Sequence, residues 1–301
     1  MSDKRPLCRG RYSEKSLSEG KEQIISSEFC KDMKIAVLQN FVYDDKNRAL
    51  DEVRSMALSA KASGAQMAIL PEMFCCPYET KKFPLFAEEA GGFIWQSLSD
   101  IAKENEIFIV GGSIPEKDGD KLYNTCFVFN EKGEQVARHR KVHLFDIDIK
   151  GGQYFKESDT FTPGDESKAT IFEAYGHKFG VAICFDIRFV ELFRSMALEG
   201  AEAVCVPAAF NMTTGPLHWE LAFRSRAVDN QYFTIGAAPA RNTSGKYVSF
   251  ANSIVCDPWG KVIAGAGTEQ NVMLCDIDFE EVKRVREQLP IMAAIKNNTG
   301  K

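Results

Sequence analysis

The feature of this sequence that most limits its fold is a regular alternation of short apolar strands with helical patterns. An apolar strand, Lys34–Gln39, is followed by apolar residues at three- and four-residue spacing from Leu50 to Ala60. That spacing predicts an amphipathic helix, and Gly64 lies where a helix commonly ends. Another apolar strand, Met67–Leu70, comes next. Strands that alternate with helices predict an α/β fold.

This alternation occurs twice, and each half closes with a hairpin. In the first half Tyr123–Asn130 pairs with Gln135–Arg140, and in the second half Ser253–Cys256 pairs with Lys261–Ala264. Two such halves predict two similar mixed sheets packed face to face with helices outside, a four-layer α-β-β-α sandwich. The continuously apolar strands agree, because both faces of each sheet would be covered.

The residues before the first strand form a separate segment. Met1–Asp32 is polar, has neither a helical nor a strand period, and lacks the apolar stretch of a signal peptide. We expect residues 1–32 to be a disordered N-terminal extension. Because the two sheets would share one core, we expect residues 33–301 to form one domain.

Composition excludes several classes of protein. The formal net charge of −5 over 301 residues gives no electrostatic reason to expect nucleic acid or an anionic membrane as a partner. No apolar run approaches the ~20 residues that span a bilayer. The nine cysteines are scattered through apolar runs without zinc-site spacing, which favours free thiols. We therefore expect a cytoplasmic protein.

Cys184 is a candidate nucleophile because it lies where a buried strand, Phe179–Ile183, gives way to a helix that begins near Phe189. A strand–turn–helix position exposes a side chain above the edge of a sheet. A helix N-terminus there would also favour the thiolate. A buried core cysteine is the alternative, so the assignment depends on partners.

Two charged residues follow predicted strands and could be those partners. Glu72 follows the strand Met67–Leu70, at the sheet edge where α/β proteins usually bind ligands, and could act as a general base. Lys141 precedes the apolar stretch Val142–Phe145, so it can point inward and stabilise an oxyanion. Glu72 could instead be a helix N-cap or form a salt bridge in a loop, and Lys141 could be a solvated surface residue.

Taken together, Glu72, Lys141 and Cys184 with their flanking residues resemble the nitrilase superfamily of carbon–nitrogen hydrolases over Met33–Leu289. The resemblance implies the α-β-β-α sandwich, a homodimer or higher homo-oligomer, and a Glu–Lys–Cys catalytic set. It also implies that Glu157 orients Lys141 and the attacking water. The oxyanion would be held by Lys141 and the backbone N–H of Phe185. No metal or organic cofactor is implied.

Within that superfamily the sequence looks most like the ω-amidase (Nit2-type) branch, which hydrolyses the terminal amide of 2-oxoglutaramate or 2-oxosuccinamate. The segments that carry this likeness are Leu144–Asp148, Ala209–Pro216, His218–Glu220 and Arg224–Gln231. Phe185 departs from the branch, where a tyrosine is common, and Lys150 replaces a usual proline.

A substrate with a second carboxylate needs a cation to bind it. Arg188, one helical turn after Cys184, is the candidate, because a guanidinium can donate two parallel hydrogen bonds to a carboxylate. A structural pair with Asp186 or Glu191 is the alternative. The hydroxyl groups of Thr213 and Thr214 could add contacts to the substrate.

Other functions remain open from the sequence alone. A related amidase could act on deaminated glutathione or on an N-carbamoyl amino acid. From a different class, the chain could be an inactive dimeric scaffold, or a thiol redox protein that uses Cys184 or the adjacent Cys75 and Cys76.

Overall fold

A computed structural model describes residues 32–150, 154–165 and 169–299. The prediction for the N-terminal extension therefore lies outside the described residues, except that the first strand begins at Asp32. Residues from Lys31 to the C-terminus form one compact unit.

Two large mixed sheets organise this unit. The first sheet contains β1 (Asp32–Gln39), β2 (Met67–Ile69), β3 (Phe108–Val110), β4 (Ile114–Asp118), β5 (Lys121–Phe129), β6 (Gln135–Arg140) and β15 (Asn271–Asp278). The second sheet contains β9 (Thr170–Ala174), β10 (His177–Val181), β11 (Ala203–Pro207), β12 (Phe233–Ala237), β13 (Ile254–Cys256) and β14 (Val262–Gly265). A small ribbon pairs β7 (Asp146–Asp148) with β8 (Tyr154–Lys156).

Helices cover the outer faces of these sheets. The α-helices are α1 (Lys46–Ala62), α2 (Phe83–Phe86), α3 (Phe93–Glu104), α4 (Val190–Leu198), α5 (Gly215–Asn230), α6 (Glu280–Gln288) and α7 (Ile291–Thr299). The short 3₁₀ helices are η1 (Glu157–Asp159) and η2 (Cys184–Arg188). In the part of the chain that the structure describes, no helix is both long and apolar enough to cross a bilayer.

Strand β1 shows how the four layers arise. Because successive side chains of a strand point to opposite faces, Ile35 and Val37 pack into the core between the two sheets. Ala36 and Leu38 pack on the other face, in a cluster that includes residues of α1 and α3. The predicted four-layer α-β-β-α sandwich is thus confirmed.

The central strands of each sheet are parallel and the flanking strands are antiparallel. β1, β2 and β3 run parallel, as do β10, β11 and β12. Both predicted hairpins are present, as β5–β6 and β13–β14. The C-terminal strand β15 leaves the second half and pairs antiparallel with β1 along its whole length.

Some boundaries differ from the sequence predictions. The sequence pattern predicts a helix around His218–Asp229. Helix α5 begins earlier, at Gly215, because the Asn211 side chain accepts the backbone N–H groups of Thr213 and Thr214 at 3.0 Å each. Strands β4 and β9 and helix α7 had not been predicted. They are short edge or terminal elements, for which apolar periodicity is weak.

Candidate active site

Strand ends from both sheets meet at one place. Glu72 follows β2 and Lys141 follows β6 in the first sheet, whereas Cys184 follows β10 in the second. All three are buried, and Glu72 and Lys141 have no exposed surface. Residues separated by 112 positions in the sequence thus belong to one site.

The ammonium of Lys141 lies between two carboxylates. Its Nζ donates to Glu72 Oε1 at 2.9 Å and to Glu157 Oε2 at 2.7 Å. Burial by itself would lower the pKa of Lys141, but the charges of Glu157 and Glu72 outweigh burial and raise it. Lys141 therefore remains a cation, and the structure places Glu157 beside it.

Two further residues bridge the carboxylates and had not been singled out from the sequence. The Tyr78 hydroxyl donates to Glu157 Oε1 at 2.8 Å and is 3.3 Å from Glu72 Oε1. Asn124 Nδ2 donates to Glu72 Oε1 at 2.9 Å and is 3.3 Å from Glu157 Oε1. A polar residue inside the apolar strand Tyr123–Phe129 is a signal that could have identified Asn124. Tyr78 lies in a loop and has no comparable signal.

The remaining oxygen of Glu72 is unusual. Among the described residues, Glu72 Oε2 is a buried atom without a hydrogen-bond partner. Burial raises the pKa of Glu72, the Lys141 ammonium opposes this rise, and the charge of Glu157 adds to it. A carboxylate with one unsatisfied oxygen and a raised pKa can accept and return a proton.

Cys184 occupies a strained turn. Its φ is +46°, a left-handed backbone conformation that L side chains rarely adopt and that clusters at functional sites. Burial raises the pKa of the thiol well above its usual value, and Glu72 adds to the rise. Lys141 and a backbone hydrogen bond from Ala209 oppose it.

The expectation that a helix N-terminus favours the thiolate is wrong for this site. Cys184 begins only a five-residue 3₁₀ turn, and α4 starts at Val190. Burial therefore dominates, and the thiol needs a neighbouring base to lose its proton.

A small pocket opens beside Cys184. Its lining includes Phe185, Arg188 and Thr214, three of the residues predicted to contact the substrate or the oxyanion. Thr213 does not line the pocket. Thr213 is exposed, and its backbone N–H donates a hydrogen bond to Asn211 Oδ1. The structure therefore gives no support to its predicted substrate contact.

Arg188 is half-buried in this pocket. Its Nη2 lies 3.1 Å from His218 Nδ1, and its guanidinium lies 5.5 Å from the ring centres of both Phe185 and Phe210. No carboxylate within the described ranges forms an ion pair with it. The alternative pair with Asp186 is thereby excluded, because Asp186 binds His139 and His143. Burial lowers the pKa of Arg188, as expected for a cation without an anionic partner.

A larger cavity of about 210 Å³ lies next to this pocket and also reaches Glu72. Tyr78, Ala209 and Tyr247 line both cavities and separate them. Because Cys184 and Arg188 line only the smaller one, we take the smaller pocket as the candidate acyl-binding site. Across the described ranges, no group of three or more His, Cys, Asp and Glu side chains could hold a metal ion.

Comparison with known proteins agrees with this site. The family model described as carbon-nitrogen hydrolase matches residues 34–287. Omega-amidase NIT2 of Xenopus tropicalis is 46% identical over 258 residues, which cover 86% of this chain and 93% of that protein. The human omega-amidase NIT2 is 44% identical over 258 residues, with the same coverage.

Solved structures give the same result. Nit3 of Saccharomyces cerevisiae, described as a member of branch 10 of the nitrilase superfamily, has a TM-score of 0.79 and 38% identity, covering 86% of this chain and 95% of that one. An amidase from Nesterenkonia sp. AN1, in which acrylamide is added to the active-site cysteine, has a TM-score of 0.71 and 25% identity, covering 85% and 98%.

The chain therefore belongs to the carbon–nitrogen hydrolase family, within the nitrilase superfamily. It is a hydrolase that acts on linear amides. Its similarity to the omega-amidases extends over more than four fifths of its length, which confirms the resemblance found in the sequence.

Proposed function

We propose that this enzyme hydrolyses the terminal amide of a short dicarboxylic acid monoamide, 2-oxoglutaramate or 2-oxosuccinamate, to the acid and ammonia. The observation that carries the proposal is Arg188, a half-buried guanidinium in the Cys184 pocket that forms no ion pair with a described carboxylate. A substrate carboxylate would supply the missing anion. The similarity to omega-amidases supports the same substrate class.

In the first half-reaction Glu72 takes the proton of the Cys184 thiol, and the sulfur attacks the amide carbon. The carbonyl oxygen becomes an oxyanion, which Lys141 and the backbone N–H of Phe185 stabilise. One such donor is typically worth about 10²–10³ in rate. The carbon–nitrogen bond then breaks, Glu72 returns its proton to the nitrogen, and ammonia leaves. An acyl thioester on Cys184 remains.

In the second half-reaction Glu72 takes a proton from water, and the resulting hydroxide attacks the thioester carbon. The carbon–sulfur bond breaks, and Glu72 returns the proton to the Cys184 sulfur as the acid departs. Glu157 keeps Lys141 in place through its 2.7 Å contact and orients the attacking water. The Tyr78 and Asn124 bridges hold the two carboxylates at a fixed spacing, so the site is preorganised.

A thiol redox function has little support. Cys75 and Cys76 are fully buried, and burial raises the pKa of both thiols. Cys75 packs with the cluster beneath α1 and α3, whereas Cys76 packs in a different cluster with Tyr78 and Phe83. Their side chains therefore face different parts of the core.

The test is a substrate panel. 2-Oxoglutaramate, 2-oxosuccinamate, deaminated glutathione and an N-carbamoyl amino acid are supplied at equal concentration, and the acid products are quantified by chromatography. We expect the two dicarboxylic monoamides to give the highest kcat/KM. A preference for deaminated glutathione or for the carbamoyl compound would replace the proposed substrate class.

The nucleophile is tested by two matched cysteine variants. Cys184→Ala should abolish turnover and the acyl adduct seen by mass spectrometry, while the circular dichroism spectrum is unchanged. Cys275→Ala, which removes a thiol from β15 away from the pocket, should keep near-normal activity. Turnover by folded Cys184→Ala would contradict the mechanism, and an inactive scaffold would show no acyl adduct in either form.

We also propose that the enzyme forms a homodimer through helix α5. Leu217, Leu221 and Val228 form an apolar stripe on this helix, with exposed fractions of 73%, 65% and 40%. Exposed apolar side chains on one helix face favour self-association, and a twofold axis would pair this face with itself. Light scattering after gel filtration should give twice the chain mass. Leu221→Asp should give a monomer, whereas Leu85→Asp, at an equally exposed leucine on α2, should remain dimeric.

The cytoplasm is the proposed location, since the cysteines of the described residues are all free thiols. Fractionation of cells that carry the tagged full-length chain tests it. Recovery in a membrane or organelle fraction would contradict it.

A further inference from the structure

The Asp186 carboxylate, two residues after the nucleophile, connects two segments of the chain through its hydrogen bonds. It is fully buried and accepts hydrogen bonds from four donors on two separate segments of the chain. We propose that Asp186, together with His139 and His143, is a positioning unit that sets the placement of the Lys141 ammonium relative to the Cys184 sulfur. This inference rests on the catalytic roles proposed above for those two residues.

On one side Asp186 holds the turn that carries the nucleophile. Its Oδ2 accepts the backbone N–H of Ile183 at 2.9 Å, which closes the turn around Cys184. A non-glycine residue at φ +46° is strained and persists only where surrounding contacts fix it. The Asp186 hydrogen bond is such a contact.

On the other side Asp186 holds the segment that carries Lys141. His143 donates twice to Oδ1, from its backbone N and from Nδ1, both at 2.8 Å. His139 Nε2 lies 3.1 Å from Oδ2. These two histidines lie two residues before and two residues after Lys141. Their hydrogen bonds to Asp186 therefore fix the backbone on both sides of the catalytic cation.

Neighbouring residues hold the two histidines of the positioning unit in fixed orientations. His139 Nδ1 bonds Thr170 Oγ1 at 2.9 Å, and the His143 ring stacks on Phe189 with 3.4 Å between ring centres. Burial alone would raise the pKa of Asp186, but the hydrogen bonds from His139 and His143 lower it below its ordinary value. Asp186 is thus an anion throughout the neutral range, and each of its contacts is a charge-assisted hydrogen bond.

Among the described contacts, Asp186, His139 and His143 form no hydrogen bond with Glu72, and their side chains do not line the pocket that contains Arg188. Loss of the positioning unit should therefore reduce the rate of the chemical steps and leave substrate binding nearly unchanged. Displacement of a reacting group by about 1 Å can cost about 10²-fold in rate. We expect a loss between about 10-fold and 100-fold in kcat.

The experiment compares His143→Phe with His177→Phe. The phenylalanine at position 143 keeps the stack on Phe189 and the backbone hydrogen bond but removes the Nδ1 donor. His177 offers a matched control, because its Nδ1 bonds the Glu202 carboxylate at 3.0 Å and its ring stacks on Phe279 with 3.8 Å between centres. Any general effect of losing a stacked, paired histidine should appear in both variants.

Two measurements decide the outcome. His143→Phe should lower kcat with KM within about twofold of the unmodified enzyme, whereas His177→Phe should change neither. Alkylation of Cys184 by iodoacetamide should also slow in His143→Phe, and its pH profile should move to higher pH, because Lys141 would stabilise the thiolate less well. His177→Phe should keep the original profile.

The proposal is overturned if folded His143→Phe keeps its kcat and alkylation profile, or if both histidine variants lose activity equally. A rise in KM with unchanged kcat would also overturn it, because the unit would then shape the pocket. The alkylation profile needs no substrate. If the dicarboxylic amides are not hydrolysed but the profile still moves, the proposed function fails and the positioning unit stands.

Discussion

Replacing Arg188 by glutamine tests the part of the site that selects the substrate. The glutamine keeps much of the side-chain length and some hydrogen-bonding capacity but removes the positive charge. Arg188 forms no ion pair with a described carboxylate, and its neighbours in the pocket are His218 and the rings of Phe185 and Phe210. The substitution should therefore leave no buried charge unpaired, so its effect should fall on the substrate and not on the fold.

The size of that effect follows from the contact that is lost. A hydrogen bond to a charged group is worth about 1.5–3 kcal/mol, and the half-exposed position of Arg188 favours the lower part of that range because water competes. Since about 1.4 kcal/mol corresponds to a factor of ten, kcat/KM for 2-oxoglutaramate should fall by about 10- to 40-fold.

The assay compares two substrates and two variants. 4-Oxopentanamide has a methyl group where 2-oxoglutaramate has its carboxylate, so it cannot use the guanidinium. Arg188→Gln should reduce kcat/KM for 2-oxoglutaramate and leave that for 4-oxopentanamide nearly unchanged. Arg54→Gln removes an exposed guanidinium from α1, where it pairs with Glu104, and should leave both values unchanged.

An equal loss for both substrates would refute the reasoning, because Arg188 would then support the site and would not recognise a carboxylate. An unchanged value for 2-oxoglutaramate would refute it as well and would move the carboxylate-binding site elsewhere in the pocket.

Three further predictions concern the acid, the cation and the backbone of the site. Glu157→Gln removes one of the two carboxylates that pair with buried Lys141, which keeps its contact with Glu72. Urea unfolding should show a loss of about 1.5–3 kcal/mol together with a lower kcat, and unchanged unfolding would contradict the pairing. Burial raises the pKa of Glu72, which must be ionised to act as the base. Therefore kcat/KM should fall on acidification with a midpoint above the ordinary glutamate pKa of about 4.3. A midpoint at or below that value would exclude Glu72 as the base. Gly112 has a φ of +60°, and a Cβ there would lie 2.2 Å from the carbonyl oxygen that precedes Glu72. Gly112→Ala should therefore lower both the melting temperature and kcat. Gly119→Ala, at the same φ but with no atom within 4 Å, should show the smaller loss of stability and normal kcat, and equal effects would show that the close contact is unimportant.

The sequence by itself determined the central strands and the main helices, and the positions of the candidate catalytic residues along them. Apolar periodicity reports local burial, so it predicted the two α/β halves and placed Glu72, Lys141 and Cys184 next to strand ends. The family resemblance added Glu157, which has no distinctive local pattern. These predictions depend on neighbours within one element, and such short-range order is encoded in the order of residues.

Only the tertiary structure decided which side chains meet. The return of β15 to pair with β1 and the bridging by Tyr78 and Asn124 join residues that are far apart in the sequence. The hydrogen bonds at Asp186 also join residues that are far apart in the sequence. Whether Arg188 has a carboxylate partner among the described residues likewise depends on the tertiary structure. The thiol of Cys184 is the clearest example: its position suggested a stabilised thiolate, but burial in the packed core raises its pKa. Desolvation and hydrogen bonding depend on every surrounding element at once, and no local sequence pattern contains that information.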